Sequence, residues 1–218
     1  MNGNMNILNK GFMSFFRYSF LLHVWYSQTY QRDGRDYVEF QTERLVLRPY
    51  TLDDYDNWLS QFKSRLPAQH KYDDGRPINI SSFTKSWYRN WINGFQKLAQ
   101  KDEMYILGVF RKSDGVNVGK VELITLLRMD YHWATMGYSI HNQHWRNGYG
   151  TESVTGATKL FFDRLNFHRI ELHINVDNIP SIRLAEKAGF TFECVREKFS
   201  YENNRWNDFL IYYKNRSY

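Results

Sequence analysis

Gly137-Tyr138-Ser139-Ile140-His141-Asn142-Gln143-His144-Trp145-Arg146-Asn147-Gly148-Tyr149-Gly150-Thr151-Glu152 is the stretch around which the chain organises itself. It opens as a strand, turns through two alternate glycines and enters a helix. Glycine lets a backbone turn tightly and approach a ligand with no Cβ in the way. The N–H groups exposed at a helix start form an anion site, helped by the helix dipole. Arg146 adds a positive charge beside it. The ligand this pattern predicts is a phosphate or pyrophosphate. Two commoner phosphate motifs are not met. A dinucleotide fingerprint would place a third glycine at 153, where Ser153 stands, and no Gly-Lys-Ser/Thr follows. A tight strand–helix turn with no ligand is the plain alternative.

Working outward, three strands precede the turn: Tyr105 to Phe110, Val118 to Leu127 and Ala134 to His141. Ser113-Asp114-Gly115 between the first two is a hairpin signal. Connections this short make neighbours antiparallel. After the turn, Thr151 to Leu165 reads as a helix with Val154, Ala157, Phe161 and Leu165 on one face. Ile170, Leu172, Ile174 and Val176 then alternate with polar residues as a strand. A short helix ends at Ala188 with Gly189 after it, and Thr191 to Phe199 and Asp208 to Lys214 close the chain as two strands. The class is α+β, or α/β with a mixed sheet.

Toward the N-terminus, Arg44 to Pro49 is a short strand stopped by proline. Thr51 and Asp54 resemble a capping box, and Tyr55, Trp58, Leu59 and Phe62 share one face of the helix that follows. Residues 67–80 read as a loop. Ser81 or Ser82 is the expected cap of a second helix carrying Trp87, Trp91, Ile92 and Phe95.

The 218 residues suit one domain, 40–218, preceded by an extension at 1–39. Phe12 to Tyr26 is aromatic, but Arg17 and His23 break it, so it suits neither a secretory leader nor a membrane span. It is expected to pack on the domain or on a second copy, leaving monomer and homodimer both open. The net charge of +6 favours acidic partners. With no run of five Lys/Arg, direct nucleic-acid binding is not expected. Cys194 is the single cysteine, which fits a reducing, cytoplasmic setting. The seven histidines show no zinc spacing, so no metal is expected.

A second segment, Asn178-Ile179-Pro180-Ser181-Ile182-Arg183-Leu184-Ala185-Glu186-Lys187-Ala188-Gly189-Phe190, is by itself only a capped helix with a glycine stop. Together and in this order, the two segments resemble motifs A and B of the GNAT acetyltransferase superfamily. Motif A has the form Arg/Gln-x-x-Gly-x-Gly/Ala, and Trp145 stands at its first position. That departure is familiar in the branch that acetylates ribosomal-protein N-termini. Thr42 to Pro49 and Trp206-Asn207-Asp208 are also similar to that branch, so the resemblance covers residues 40–214.

The resemblance implies a mixed, mostly antiparallel sheet, flanked by helices and splayed where acetyl-CoA binds. The pantetheine would lie in the gap like an extra strand, facing the backbone of Ser139, Ile140 and His141. The N–H groups of Arg146, Asn147, Gly148, Tyr149, Gly150 and Thr151 would hold the pyrophosphate. Asn178 would lie near the pantetheine or acetyl end.

The reaction it implies is direct attack of a neutral amine on the thioester. That needs a proton acceptor, a donor for the oxyanion and a hydrogen bond for the leaving thiolate. Many relatives carry a tyrosine acid where this chain has Ala185, so Ser181 becomes the candidate partner of the sulfur. Glu122, a carboxylate within an apolar strand, is the candidate base; a salt-bridged strand residue is the alternative reading. Some relatives place a carboxylate where Ser200 stands here. The acceptor is a protein N-terminal amine, or a small amine such as an antibiotic, polyamine or amino acid. A deep acidic pocket built from Asp73 and Asp74 would favour the small amine. A non-catalytic acetyl-CoA sensor is a third possibility.

Overall fold

Strand patterning, polar turns and capping residues divide the described residues into eight strands and four α-helices. The computed structural model describes residues 39–217, so the extension lies, but for Glu39, outside the described residues. In chain order the elements are β1 (Phe40–Gln41), β2 (Leu45–Arg48), α1 (Tyr55–Lys63), α2 (Lys85–Gln100), β3 (Met104–Arg111), β4 (Asn117–Leu127), β5 (Trp133–Ile140), α3 (Tyr149–Leu165), β6 (Arg169–Asn175), α4 (Ile179–Lys187), β7 (Thr191–Glu202) and β8 (Arg205–Asn215). All strands join one sheet in the order β1-β2-β3-β4-β5-β6-β8-β7. Every pairing is antiparallel except β5 with β6. The mixed α/β class and the flanking helices are those the sequence predicts.

Helices cover both faces, and period-2 alternation assigns each strand residue to one of them. Val121, Leu123, Met136 and Tyr138 pack with α3 and α4, around Val154, Phe161 and Ala185. Ile106 and Phe110 face the other way, against Trp58, Tyr88 and Ile92 of α1 and α2. β3, covered on both sides, is buried almost throughout, as its continuous apolar run requires. The second core is dominated by aromatic rings. Trp58 alone has five aromatic partners with centroids 4.7–5.8 Å away. Such pairs add about 0.5–1.5 kcal/mol each beyond the area they bury.

The caps follow local chemistry. The Asp54 carboxylate accepts from the Thr51 N–H at 2.7 Å and from its hydroxyl at 3.0 Å. α2 is capped by Thr84, whose hydroxyl accepts from Trp87 N–H at 3.1 Å, rather than by Ser81 or Ser82. Both serines precede the helix by too many residues for their side chains to reach its first free amides. α4 ends in a Schellman motif. Phe190 N–H bonds Ala185 O, Gly189 N–H bonds Glu186 O, each at 3.0 Å, and Gly189 takes φ +76. β7 and β8 extend beyond the predicted strands because Asn203 and Asn204 adopt φ 52 and 62. That is type I′ geometry, and it pairs Glu202, Tyr201 and Ser200 with Arg205, Trp206 and Asn207 before the register shifts between Arg196 and Ser200.

The one parallel pairing is short. It begins at Trp133↔Arg169 and stops at Thr135↔Glu171. Residues 136–140 of β5 and 172–175 of β6 run on without pairing to each other, so the sheet opens into a wedge. Among the described residues, no helix is long and apolar enough to cross a membrane.

Candidate functional site

The wedge ends at the motif A turn. Gly148 caps α3 in the left-handed region, at φ +79 and ψ 0. A side chain there would strain the backbone. Arg146 also adopts a left-handed φ of 63. The first α-helical bond runs from Glu152 N–H to Gly148 O at 3.1 Å. The amides of Tyr149, Gly150 and Thr151 therefore have no acceptor inside the helix and point out of its N-terminus. Gly150 has a different duty from Gly148. A Cβ on it would meet Leu184 Cδ1 at 2.7 Å, so it lets α3 pack closely on α4.

The turn is held from behind by the connection between β1 and β2. The Glu152 carboxylate accepts from Thr42 Oγ1 at 2.5 Å, from Arg44 N–H at 2.8 Å and from Arg44 Nε at 2.7 Å. Burial would raise the Glu152 pKa, but these donors hold it below the usual carboxylate range. Arg44 also reaches the Asn147 carbonyl at 3.0 Å and lies 5.0 Å from the Tyr149 ring centroid. Trp145, at the departing motif position, donates its indole N–H to Ile140 O at 2.7 Å and stacks on His70.

Ladder alternation decides which β5 amides face the wedge. His141 N–H donates to Val118 O at 2.9 Å, and β4–β5 pairing runs without interruption from Ile140 to Ala134 on the Gly119 to Thr125 side. Ser139 therefore turns its backbone groups to β4, and His141 its N–H, while the His141 carbonyl accepts from His144 N–H at 2.8 Å. Tyr138 and Ile140 turn theirs to the wedge. Of the three residues expected along the pantetheine, only Ile140 offers its amide there, and Tyr138 joins it.

The His141 side chain has another task. It is buried, with Nδ1 accepting from Arg65 Nε at 2.9 Å. Burial, with Arg65 beside it, drives its pKa well below the ordinary imidazole value. Next to it, Asn142 Oδ1 accepts from Leu66 N–H at 2.7 Å, and Nδ2 donates to Leu66 O at 2.9 Å and Asp73 Oδ2 at 3.0 Å. These two residues fasten the loop after α1 to the motif A turn. The far side of that loop crosses to the end of β6, where Lys71 and Tyr72 both bind the Asp177 carboxylate.

Glu122 lies on the α1–α2 face of the sheet, opposite Gly137. Its carboxylate crowds the space above the Gly137 backbone, and Lys120 Nζ binds it at 2.5 Å. Asn178 caps α4, its side chain accepting from Ser181 N–H at 3.4 Å. Ser181 and Glu122 are thus on opposite faces of the sheet, on either side of the wedge. Ser181 Oγ is 2.7 Å from the phenol oxygen of Tyr138. Neither that contact nor the Arg44–Glu152 brace is among the expectations from sequence. The alternation that places Met136 in the core also aims Tyr138 at α4, which was the available signal.

Asp73 does not build an acidic pocket. It accepts from Gln69 N–H and Gly75 N–H inside its own loop and from Asn142 of the motif A turn, and Asp74 is largely exposed. The pocket on this side, of about 220 Å³, is lined by Lys71, Tyr72, Asp177, Arg205, Trp206 and Asp208, with Asn175, Val176 and Asn207. Among the described residues, no group of three or more His, Cys, Asp or Glu could hold a metal ion.

Comparison with known proteins agrees with this geometry. Residues 44–191 match the acetyltransferase (GNAT) domain. The "Probable N-acetyltransferase YjcK" of Bacillus subtilis is 34% identical over 129 residues, covering 59% of this chain and 71% of that one. The ribosomal protein uS5-alanine N-acetyltransferase of Escherichia coli is 24% identical over 80% of this chain and 89% of its own length. Mycobacterium smegmatis RimJ, solved with a CoA-disulfide, shares the fold with a TM-score of 0.64 at 18% identity, over 78% of this chain and 81% of that one. A chimera of the spermidine N-acetyltransferase SpeG from Vibrio cholerae shares it with a TM-score of 0.60 at 22% identity, over 78% and 95%. With the splayed sheet and both motifs in place, the chain belongs to the GNAT family and is an N-acetyltransferase.

Proposed function

We propose that this enzyme takes acetyl from acetyl-CoA and transfers it to the N-terminal amine of a protein or peptide, by direct attack in a ternary complex. The observation that carries the cofactor reading is the wedge between β5 and β6, which ends at outward-pointing amides on the α3 N-terminus. The pyrophosphate would sit on the amides of residues 146–151, and the pantetheine beside Tyr138 and Ile140. Asn178 would lie at the acetyl end, where α4 begins.

The placement of the side chains supports a two-sided reaction. α4 closes one face of the wedge, so the amine would enter from the α1–α2 face, where Glu122 stands. Glu122, released from Lys120 or acting through water, would take the amine proton. Ser181 would hydrogen-bond the departing sulfur from the α4 side. Resident metal plays no part in this scheme, and a reducing, cytoplasmic setting suits it.

The acceptor reading rests on the mouth of the site. Its charges balance: Lys71 is paired with Asp177, and Arg205 and Asp208 add one charge of each sign. A locally neutral, polar rim suits a peptide backbone better than a polycation. The test is steady-state thiol release from acetyl-CoA with short peptides of varied N-terminus alongside spermidine, lysine and an aminoglycoside. Turnover with peptides and not with the small amines is expected. Turnover confined to a small amine would overturn the acceptor reading.

A further inference from the structure

The position at which many relatives carry the tyrosine acid is closed in this chain. Ala185 is fully buried in the core, and nothing projects from it toward the wedge. Yet a phenol does reach α4 from the opposite wall, at its first turn and not at Ala185. Tyr138 leaves β5 three residues beyond the last β5–β6 pair and points to the α3–α4 side. Its hydroxyl lies 2.7 Å from Ser181 Oγ and 3.3 Å from Ser181 O. The tie therefore crosses behind the open wedge, from β5 to the first turn of α4.

Resting on the reading of Ser181 as the partner of the sulfur, we propose that Tyr138 is a positioning residue that aims the Ser181 hydroxyl at the departing coenzyme thiolate. A phenol is a stronger acid than an alkyl hydroxyl, so the better arrangement has Tyr138 donating to Ser181 Oγ. The hydrogen of Ser181 is then left to point into the wedge. In the reaction, the amine nitrogen forms its bond to the acetyl carbon and the C–S bond breaks. The sulfur keeps the electron pair and accepts the hydrogen bond from Ser181. The proton lost by the amine leaves through the base on the other face. Tyr138 gives up no proton. Burial pushes its hydroxyl up to about 12, whereas an ordinary thiol sits near 8.5, so transfer to the thiolate would run uphill. What it contributes is direction.

The test is a double-mutant cycle with full-length enzyme, acetyl-CoA and whichever amine the panel identifies. Removing a hydrogen bond to a charged atom, Ser181→Ala is expected to lower kcat about 10- to 100-fold. Tyr138→Phe, which removes one oxygen, is expected to lower kcat about 3- to 10-fold while the acetyl-CoA Kd stays within about twofold. In the Ser181→Ala background, Tyr138→Phe should cause no further loss. Ser181→Thr keeps the hydroxyl and should retain most of kcat, which separates the hydroxyl from packing. Equal losses from Tyr138→Phe in both backgrounds, or none in either, would overturn the positioning role while leaving Ser181 in place. Full activity in Ser181→Ala would sink the reading beneath it instead. A fall in kcat matched by a lost melting transition would mark Tyr138 as a packing residue and also count against the proposal.

Discussion

Gly148→Ala isolates what the motif A turn does. Gly148 holds φ +79, a region that costs an ordinary residue about 1–2 kcal/mol. A Cβ there meets only Arg44 Nη2, at 3.3 Å, a contact that a small shift at the tip of that side chain relieves. The cost is therefore almost wholly backbone strain. If the free turn relaxes out of the left-handed region, acetyl-CoA must drive it back, and that work raises Kd by about 5- to 30-fold. Gly115, at φ +71 in the β3–β4 hairpin, is the internal control, since its Cβ would meet nothing within 4 Å. Gly115→Ala carries the same strain outside the backbone of the turn itself, in the neighbouring hairpin. It should lose about 1–2 kcal/mol of stability and bind acetyl-CoA normally. Calorimetric titration with acetyl-CoA, paired with urea unfolding, reads both. A Gly148→Ala enzyme with unchanged Kd, or a Gly115→Ala enzyme weakened as much, would refute the assignment of the turn.

Other substitutions probe the surrounding supports. Glu152→Gln should flatten the acid limb of stability, measured as Tm against pH. Its depressed pKa means the stabilisation is complete above the ordinary carboxylate value and is lost as pH falls through the folded one. His141 is also depressed, so it favours the folded state above about pH 6.5, and stability should decline by up to about 1.4 kcal/mol per unit below that. His141→Asn should remove that part of the slope. Asn142→Ala unfastens the loop after α1 and should raise the acceptor KM more than that of acetyl-CoA, with about 1–3 kcal/mol lost in unfolding. Trp145→Phe keeps a ring beside His70 but drops the bond to Ile140 O. It should weaken acetyl-CoA binding by up to about tenfold, read by the same titration.

Local patterning carried the fold a long way. Alternation in β4 to β6, the Gly115 hairpin, Gly148 before α3 and Gly189 after α4 are written in short windows of sequence, and the structure keeps them. What those windows do not contain is pairing across distance. The β5–β6 contact stops at Thr135 because of how the two strands diverge, and no local pattern states that. The α2 cap shows a smaller failure, since three hydroxyl residues in four positions compete and only the helix start chooses Thr84. At the site, the turn was legible because glycine conformation is local. The brace from Arg44 to Glu152 spans 108 positions and the Tyr138–Ser181 contact 43, so each became visible only when the fold brought its partners together. Ser139 and His141 were placed on the wedge by analogy, and ladder phase, which alternates residue by residue, turns their amides to β4.

The most direct measurement is tandem mass spectrometry of a peptide carrying both a free α-amine and a lysine, after incubation with enzyme and acetyl-CoA. The account predicts one acetyl group, on the α-amine, dependent on enzyme and lost with Gly148→Val. Acetylation of the lysine instead, or an unmodified peptide under conditions where a small amine is turned over, would contradict it.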